Sequence, residues 1–158
     1  MTSTEKFTQA IELRKKGLFE ESRDSLWSLM GSDIEHGVIY LNIAWSYDNQ
    51  GLEEKALHYY RQALDEPLSG DDYFEAKFGL ACTYRCLGHF QEAERIFETL
   101  VRDYPSKTEI LPFFALCLMS LGKKDAAFKL ILALIVKHPP TEAISRYNAA
   151  LIGYLDKL

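Results

Sequence analysis

LACTYRCLGHFQEAERIFETLVRDYP, running from Leu80 to Pro105, is the stretch from which the fold can be read. Counted from Gly88, Leu80 stands eight before, Ala81 seven before and Tyr84 four before. Ala93 stands five after, Phe97 nine after and Pro105 seventeen after. Apolar residues on either side of the Gly recur at helical separations, so each half carries one apolar stripe. A Gly between them tolerates φ > 0 and closes the first helix. The small Ala81 and Ala93 let two antiparallel helices approach closely.

The same ruler fits the rest of the chain. Thirty-four residues on from Gly88 is Gly122, with Phe114, Ala115, Leu118, Ala127, Ile131 and Pro139 at the same offsets. Thirty-seven back is Gly51, with Ile43, Ala44, Tyr47, Ala56 and Tyr60 in register. A further 34 back is Gly17, with Ala10, Leu13, Leu26 and Leu29. This first copy is the weakest, since Gln9 and Ser22 replace an apolar residue and an Ala. A fixed period of this length is the signature of stacked repeats.

The chain thus resembles the tetratricopeptide repeat family, whose 34-residue helix–turn–helix unit has a W-x2-L-G-x2-Y, A-x3-F, P pattern. Four units fit, at about 4–33, 34–70, 71–106 and 107–140, with a capping helix at about 141–156, all in one domain of residues 1–158. Three departures stand out. Lys6, Tyr40, Lys77 and Leu111 occupy the opening Trp position, Ala replaces the first-helix Gly, and only the last two units keep the closing Pro. The fold class implied is all-α, an α-solenoid coiled as a right-handed superhelix with a concave face.

Composition narrows the function. Of 158 residues, 47% are hydrophobic and the net charge is −5, which fits an ordinary globular chain and argues against general nucleic-acid affinity. No apolar run approaches the ~20 residues needed to cross a bilayer, and the first ten residues lack the apolar core of a signal peptide, so no membrane association and a cytoplasmic location are expected. Cys82, Cys86 and Cys117 form no CxxC pair and are read as small apolar residues rather than metal ligands. No phosphate loop, HExxH or GxSxG motif occurs, so neither cofactor nor enzymatic activity is expected.

Local signals place the helix ends. Thr2-x-x-Glu5, Ser32-x-x-Glu35 and Ser106-x-x-Glu109 read as capping boxes, and Thr141 as the cap of one last helix reaching about Leu155. The stretch Glu66–Tyr73 carries three residues beyond the period and reads as a lengthened surface turn.

In the family the first helix of each pair lines the concave face. Its inward residues here lie ten, six and three before each Gly, spacings that share one side of a helix. The first row is Phe7, Leu41, Phe78 and Pro112; the second is Ile11, Trp45, Cys82 and Leu116; the third is Arg14, Asp48, Arg85 and Met119. Glu75 and Glu109, thirteen before their Gly residues, form the other margin. Two apolar rows on a face not needed for helix pairing mark an interaction surface. The expected occupant is an apolar or amphipathic segment of another protein or peptide, with Trp45 as anchor and Trp27 indifferent to it. A homo-oligomer that fills the groove by self-association is the alternative. The carboxylate clamp of the family's co-chaperones is not expected, because Phe7, Ile11, Glu75 and Gly79 depart from its Lys, Asn and Arg set and only Asn42 agrees.

Overall fold

The computed structural model describes residues 1–158, and every regular element is a helix. The chain divides into two compact units, Met1–His89 and Phe90–Leu158. The first holds α1 (Ser3–Lys15), α2 (Phe19–Trp27), α3 (His36–Asn49), α4 (Glu53–Leu64) and α5 (Gly70–Cys86). The second holds α6 (Phe90–Asp103), α7 (Ile110–Ser120), α8 (Lys124–Lys137), α9 (Glu142–Ser145) and α10 (Asn148–Leu155).

The four phased glycines end their helices in one way. Gly17, Gly51, Gly88 and Gly122 have φ of 80°, 79°, 81° and 76°. In each case the N–H of the next residue reaches back to the carbonyl of the residue four before the Gly: Leu18 to Leu13, Leu52 to Tyr47, His89 to Tyr84 and Lys123 to Leu118, all at 2.9 Å. This is the hydrogen bond of a Schellman close, which satisfies a carbonyl the helix leaves orphaned. The period seen in the sequence is therefore a period of chain reversals.

Within the first unit, successive helices pack in chain order, and α5 touches both α4 and α3. Ala10, Leu26, Leu29, Ile39 and Ile43 form one buried cluster, flanked by Phe7, Met30 and Tyr47. Ala44 and Ala56 are fully buried where α3 meets α4, as the period requires of small residues at a close approach. The irregular first repeat is reconciled by a hydrogen bond: Ser22, standing where the others have Ala, is buried and donates its hydroxyl to the Ala10 carbonyl at 2.7 Å. A buried hydroxyl with a partner costs little.

Several expected caps differ. Thr2 and Glu5 form the capping box. Ser32 instead accepts from the Ile34 N–H, and α3 starts one residue after Glu35 without a side-chain cap. Glu109 precedes α7 in a helical conformation, and Ser106 does not cap it. Short polar side chains bond the nearest free N–H, so a motif within a turn need not cap the helix that follows. The lengthened turn is anchored as well as exposed: a Cβ on Gly37 would lie 2.8 Å from Leu68 Cδ2, so Leu68 rests on the start of α3.

In the second unit α6 packs on α7, α7 on α8, and α10 on α8. Phe97 and Phe114 stack with centroids 5.6 Å apart, and Lys123 pairs with Glu94 at 2.7 Å. Thr141 caps α9 through the Ile144 N–H, but the expected single closing helix is broken into α9 and α10 around Arg146 and Tyr147. Neither piece has a buried residue.

Candidate functional site

The expected inward rows split by unit. In the first unit they are largely occupied. Leu41 is fully buried and belongs to the core rather than to an open face. Phe7, Ile11, Trp45, Phe78 and Cys82 are half-buried. The Arg14 guanidinium lies 5.3 Å from the Trp45 ring centre, a cation over an aromatic face, and donates to Asn49 Oδ1 at 3.0 Å. Partial burial lowers the Arg14 pKa from its ordinary value. Arg85 and Glu75 are half-buried, and Arg85 Nε is buried without a hydrogen-bond partner.

Asp48 is more than a polar margin. Its Oδ2 accepts from the Tyr60 hydroxyl at 2.7 Å, and burial raises its pKa despite that bond. Burial first, and the neighbouring Asp48 second, push the Tyr60 phenol far above the ordinary tyrosine range. Tyr60 therefore stays a donor. Its ring fills the space beside Gly79, where a Cβ has no room, so the α4 aromatic and the α5 glycine form one close contact.

In the second unit the same rows are open. Pro112, Leu116 and Met119 of α7 face Lys124, Ala127, Phe128 and Ile131 of α8 across a groove of about 460 Å³. Leu116 and Met119 are each 48% exposed and Phe128 59%. Lys124 is the one charged residue of the lining. Glu109 is exposed and lies outside this groove. Of the fourteen residues of α8, only Ala127 and Val136 are buried, although the helix is mostly apolar.

The groove is a repeat surface without its next helix. Pro112, Met119, Phe128 and Ile131 hold the offsets that Leu41, Asp48, Leu57 and Tyr60 hold around Gly51. There α5 packs against both α3 and α4, and Leu41 and Tyr60 are 0% and 1% exposed. Here α10 packs on α8, joined by Asn148 Nδ2 to the Val136 carbonyl at 2.9 Å, and leaves the α7–α8 groove uncovered.

Sequence reasoning missed a second feature. Trp27, Tyr40, Tyr47 and Tyr59 gather in the first unit with ring centres 5.4 to 6.3 Å apart. Arg23 lies 4.0 Å over Tyr47 and donates to Ser46 Oγ at 3.0 Å and Gln50 Oε1 at 2.9 Å. These residues come from α2, α3 and α4, and no single-helix periodicity unites them.

A family model described as tetratrico peptide repeat matches residues 37–158. Solved structures share this fold, two of MamA among them. "MamA RS-1 ArsTM double mutant" superposes with a TM-score of 0.73 at 10% identity, covering 98% of this chain and 94% of that one. A MamA AMB-1 structure gives 0.68 at 14% identity, covering 98% and 85%. No curated protein matches in sequence. No helix is long and apolar enough to cross a membrane, and no group of three or more His, Cys, Asp or Glu side chains is placed to hold a metal ion.

Proposed function

This chain belongs to the tetratricopeptide repeat family, and from that premise we propose that it is a non-catalytic adaptor or scaffold that holds an apolar or amphipathic segment of a partner protein. The observation that carries this reading is the α7–α8 groove, an apolar surface left open at positions where the first unit is closed. Exposed apolar surface of this kind marks interaction sites in soluble proteins. Leu116, Met119 and Phe128 are the proposed contacts, and their aliphatic and aromatic character suits the apolar face of a helix laid in a groove. Within the first unit, Trp45 and Arg14, already in contact with each other, are proposed contacts of their own. The second reading, a homo-oligomer closed over the same groove, draws on the exposed apolar side chains of the C-terminal segment, Ile152, Tyr154 and Leu158.

A photo-crosslinking amino acid in place of Met119, in the full chain, tests both. In a native extract, a covalent adduct with a distinct polypeptide is expected, lost in Phe128→Asp. An adduct only with a second copy selects the homo-oligomer. Labelling no greater than from the exposed position Glu98 rejects both.

A further inference from the structure

We infer that the α7–α8 groove takes one partner helix, laid parallel to α7 in the place a fifth repeat's first helix would fill, apolar along its contact face and acidic at its C-terminal end. This rests on the interaction reading above and adds the form, direction and charge of the occupant.

The direction comes from the first unit. There α5 lies against α4 and α3, two turns of the chain after α3, and so runs parallel to α3. The groove that receives it has the same lining offsets as the one in the second unit. A helix placed in that way beside α7 and α8 ends near Met119 and Lys124, which stand at the C-terminus of α7 and the N-terminus of α8.

The charge comes from the differences between the two grooves. Asp48 and Glu53 in the first unit, close enough for Glu53 to raise the Asp48 pKa, are replaced at matching offsets by Met119 and Lys124. The rim of the open groove has changed from acidic to basic. Lys123 is engaged with Glu94, while Lys124 is exposed on the rim. The start of a helix adds positive potential there, so an acidic residue or a carboxylate at the end of the incoming helix finds both. The shape also differs. Ile131 stands where Tyr60 excludes a Cβ from Gly79, so the occupant is free to carry a methyl group or more at the matching position.

A second copy stacked head to tail does not meet these terms. On α5, the Gly79 that faces Tyr60 shares a helix side with Ala76 and Thr83; at the same offsets α1 carries Thr8, Glu5 and Glu12, all exposed. Laying two carboxylates on Ala127 and Ile131 would strip their water without supplying partners. The C-terminal end of α1 also brings Lys15 and Lys16 toward Lys124, like charge against like.

The test uses the intact protein and three fluorescent synthetic peptides followed by anisotropy. One is the α5 sequence Ser69–Arg85 with Cys82→Ala; the second adds Arg85→Glu; the third is the α1 sequence Thr2–Lys16. Both α5 peptides are expected to bind and the α1 peptide not to bind. The Arg85→Glu form should bind roughly threefold more tightly, the scale of one exposed ion pair. Lys124→Glu should reverse that order, and Phe128→Asp should abolish binding of both. An α1 peptide that binds equally well, or an order unchanged by Lys124→Glu, overturns the inference. A dimer that Phe128→Asp dissociates also overturns it, in favour of a second copy. If no peptide binds while the photo-adduct with a foreign polypeptide persists, the helical mode fails and the interaction reading stands. If peptides bind but no foreign adduct forms, the groove's capacity stands and the partner reading fails.

Discussion

Gly79→Ala is a substitution for which helix propensity and packing predict opposite signs. Gly79 lies inside α5, where Ala would ordinarily stabilise by about 0.5–1 kcal/mol. The added methyl, however, would enter the Tyr60 ring. Tyr60 is 1% exposed and its hydroxyl is bound to Asp48 at 2.7 Å, so the ring has no free space to enter and a charged hydrogen bond to lose. Overpacking costs about 1–3 kcal/mol, and weakening a hydrogen bond to a carboxylate adds about 1.5–3 kcal/mol if it breaks. Mid-range values, with the propensity gain subtracted, give destabilisation by about 1 kcal/mol if the ring shifts with its bond kept and about 3–4 kcal/mol if the bond is lost. Equilibrium urea denaturation followed by far-UV circular dichroism reads this directly. Adding Tyr60→Leu, which makes room and removes the donor, should make Gly79→Ala close to neutral or mildly stabilising in that background. A Gly79→Ala protein as stable as the parent would refute the close contact, and with it the α5 placement from which the open groove was read.

Asp48→Asn keeps an acceptor for Tyr60 and removes a charge that burial disfavours. Because the folded pKa of Asp48 is raised, its folded form holds its proton more tightly than the unfolded chain does, so its contribution to stability is full below the ordinary aspartate pKa and is lost as pH rises through the folded value. The variant should therefore exceed the parent in stability at neutral pH, with the advantage shrinking on acidification; a difference constant with pH argues against the shift. Gly51→Ala should cost about 1–2 kcal/mol from left-handed backbone alone, since a Cβ there meets nothing within 4 Å. Gly31→Ala, equally uncrowded but without a positive φ, should lie within about 0.5 kcal/mol of the parent, and equal losses at both glycines would contradict this. Arg23→Ala removes a buried side chain from Ser46, Gln50 and the Tyr47 face and should cost about 2 kcal/mol in urea denaturation; an unchanged midpoint would show that these contacts add nothing.

What was legible in the sequence was whatever depends on neighbours close along the chain. Each Gly that ends a helix needs only its own backbone and the carbonyl five residues before the closing N–H, so the four reversals could be placed to the residue. Small residues at the helix contacts follow from the same period. Exposure was less legible because it depends on what comes next in space. Leu41 and Pro112 hold one offset, yet Leu41 is buried and Pro112 lines an open groove, since α5 packs on both helices of the second repeat while α10, packed on α8, leaves the α7–α8 groove of the fourth uncovered. The capping boxes at Ser32 and Ser106 failed for a related reason: the pattern names possible partners, and the conformation of the turn selects among them. The aromatic group around Tyr59 was unreadable because its members come from three helices.

That aromatic group has an optical consequence. Trp27, on α2, holds Tyr40 of α3 and Tyr59 of α4 edge-on at 6.1 and 5.9 Å, with Tyr47 stacked on Tyr59 at 5.4 Å. At such separations light absorbed by the tyrosines passes to the indole before the phenols emit. In the folded protein these three tyrosines should be nearly dark, and excitation in the phenol band should appear as tryptophan fluorescence. Separation of α2 from α3 and α4 would return the phenol emission. With Trp45 replaced by Phe, the ratio of the two bands reports the docking of those three helices without an added dye, and it distinguishes their loss from unfolding of the C-terminal helices, which carry no tryptophan.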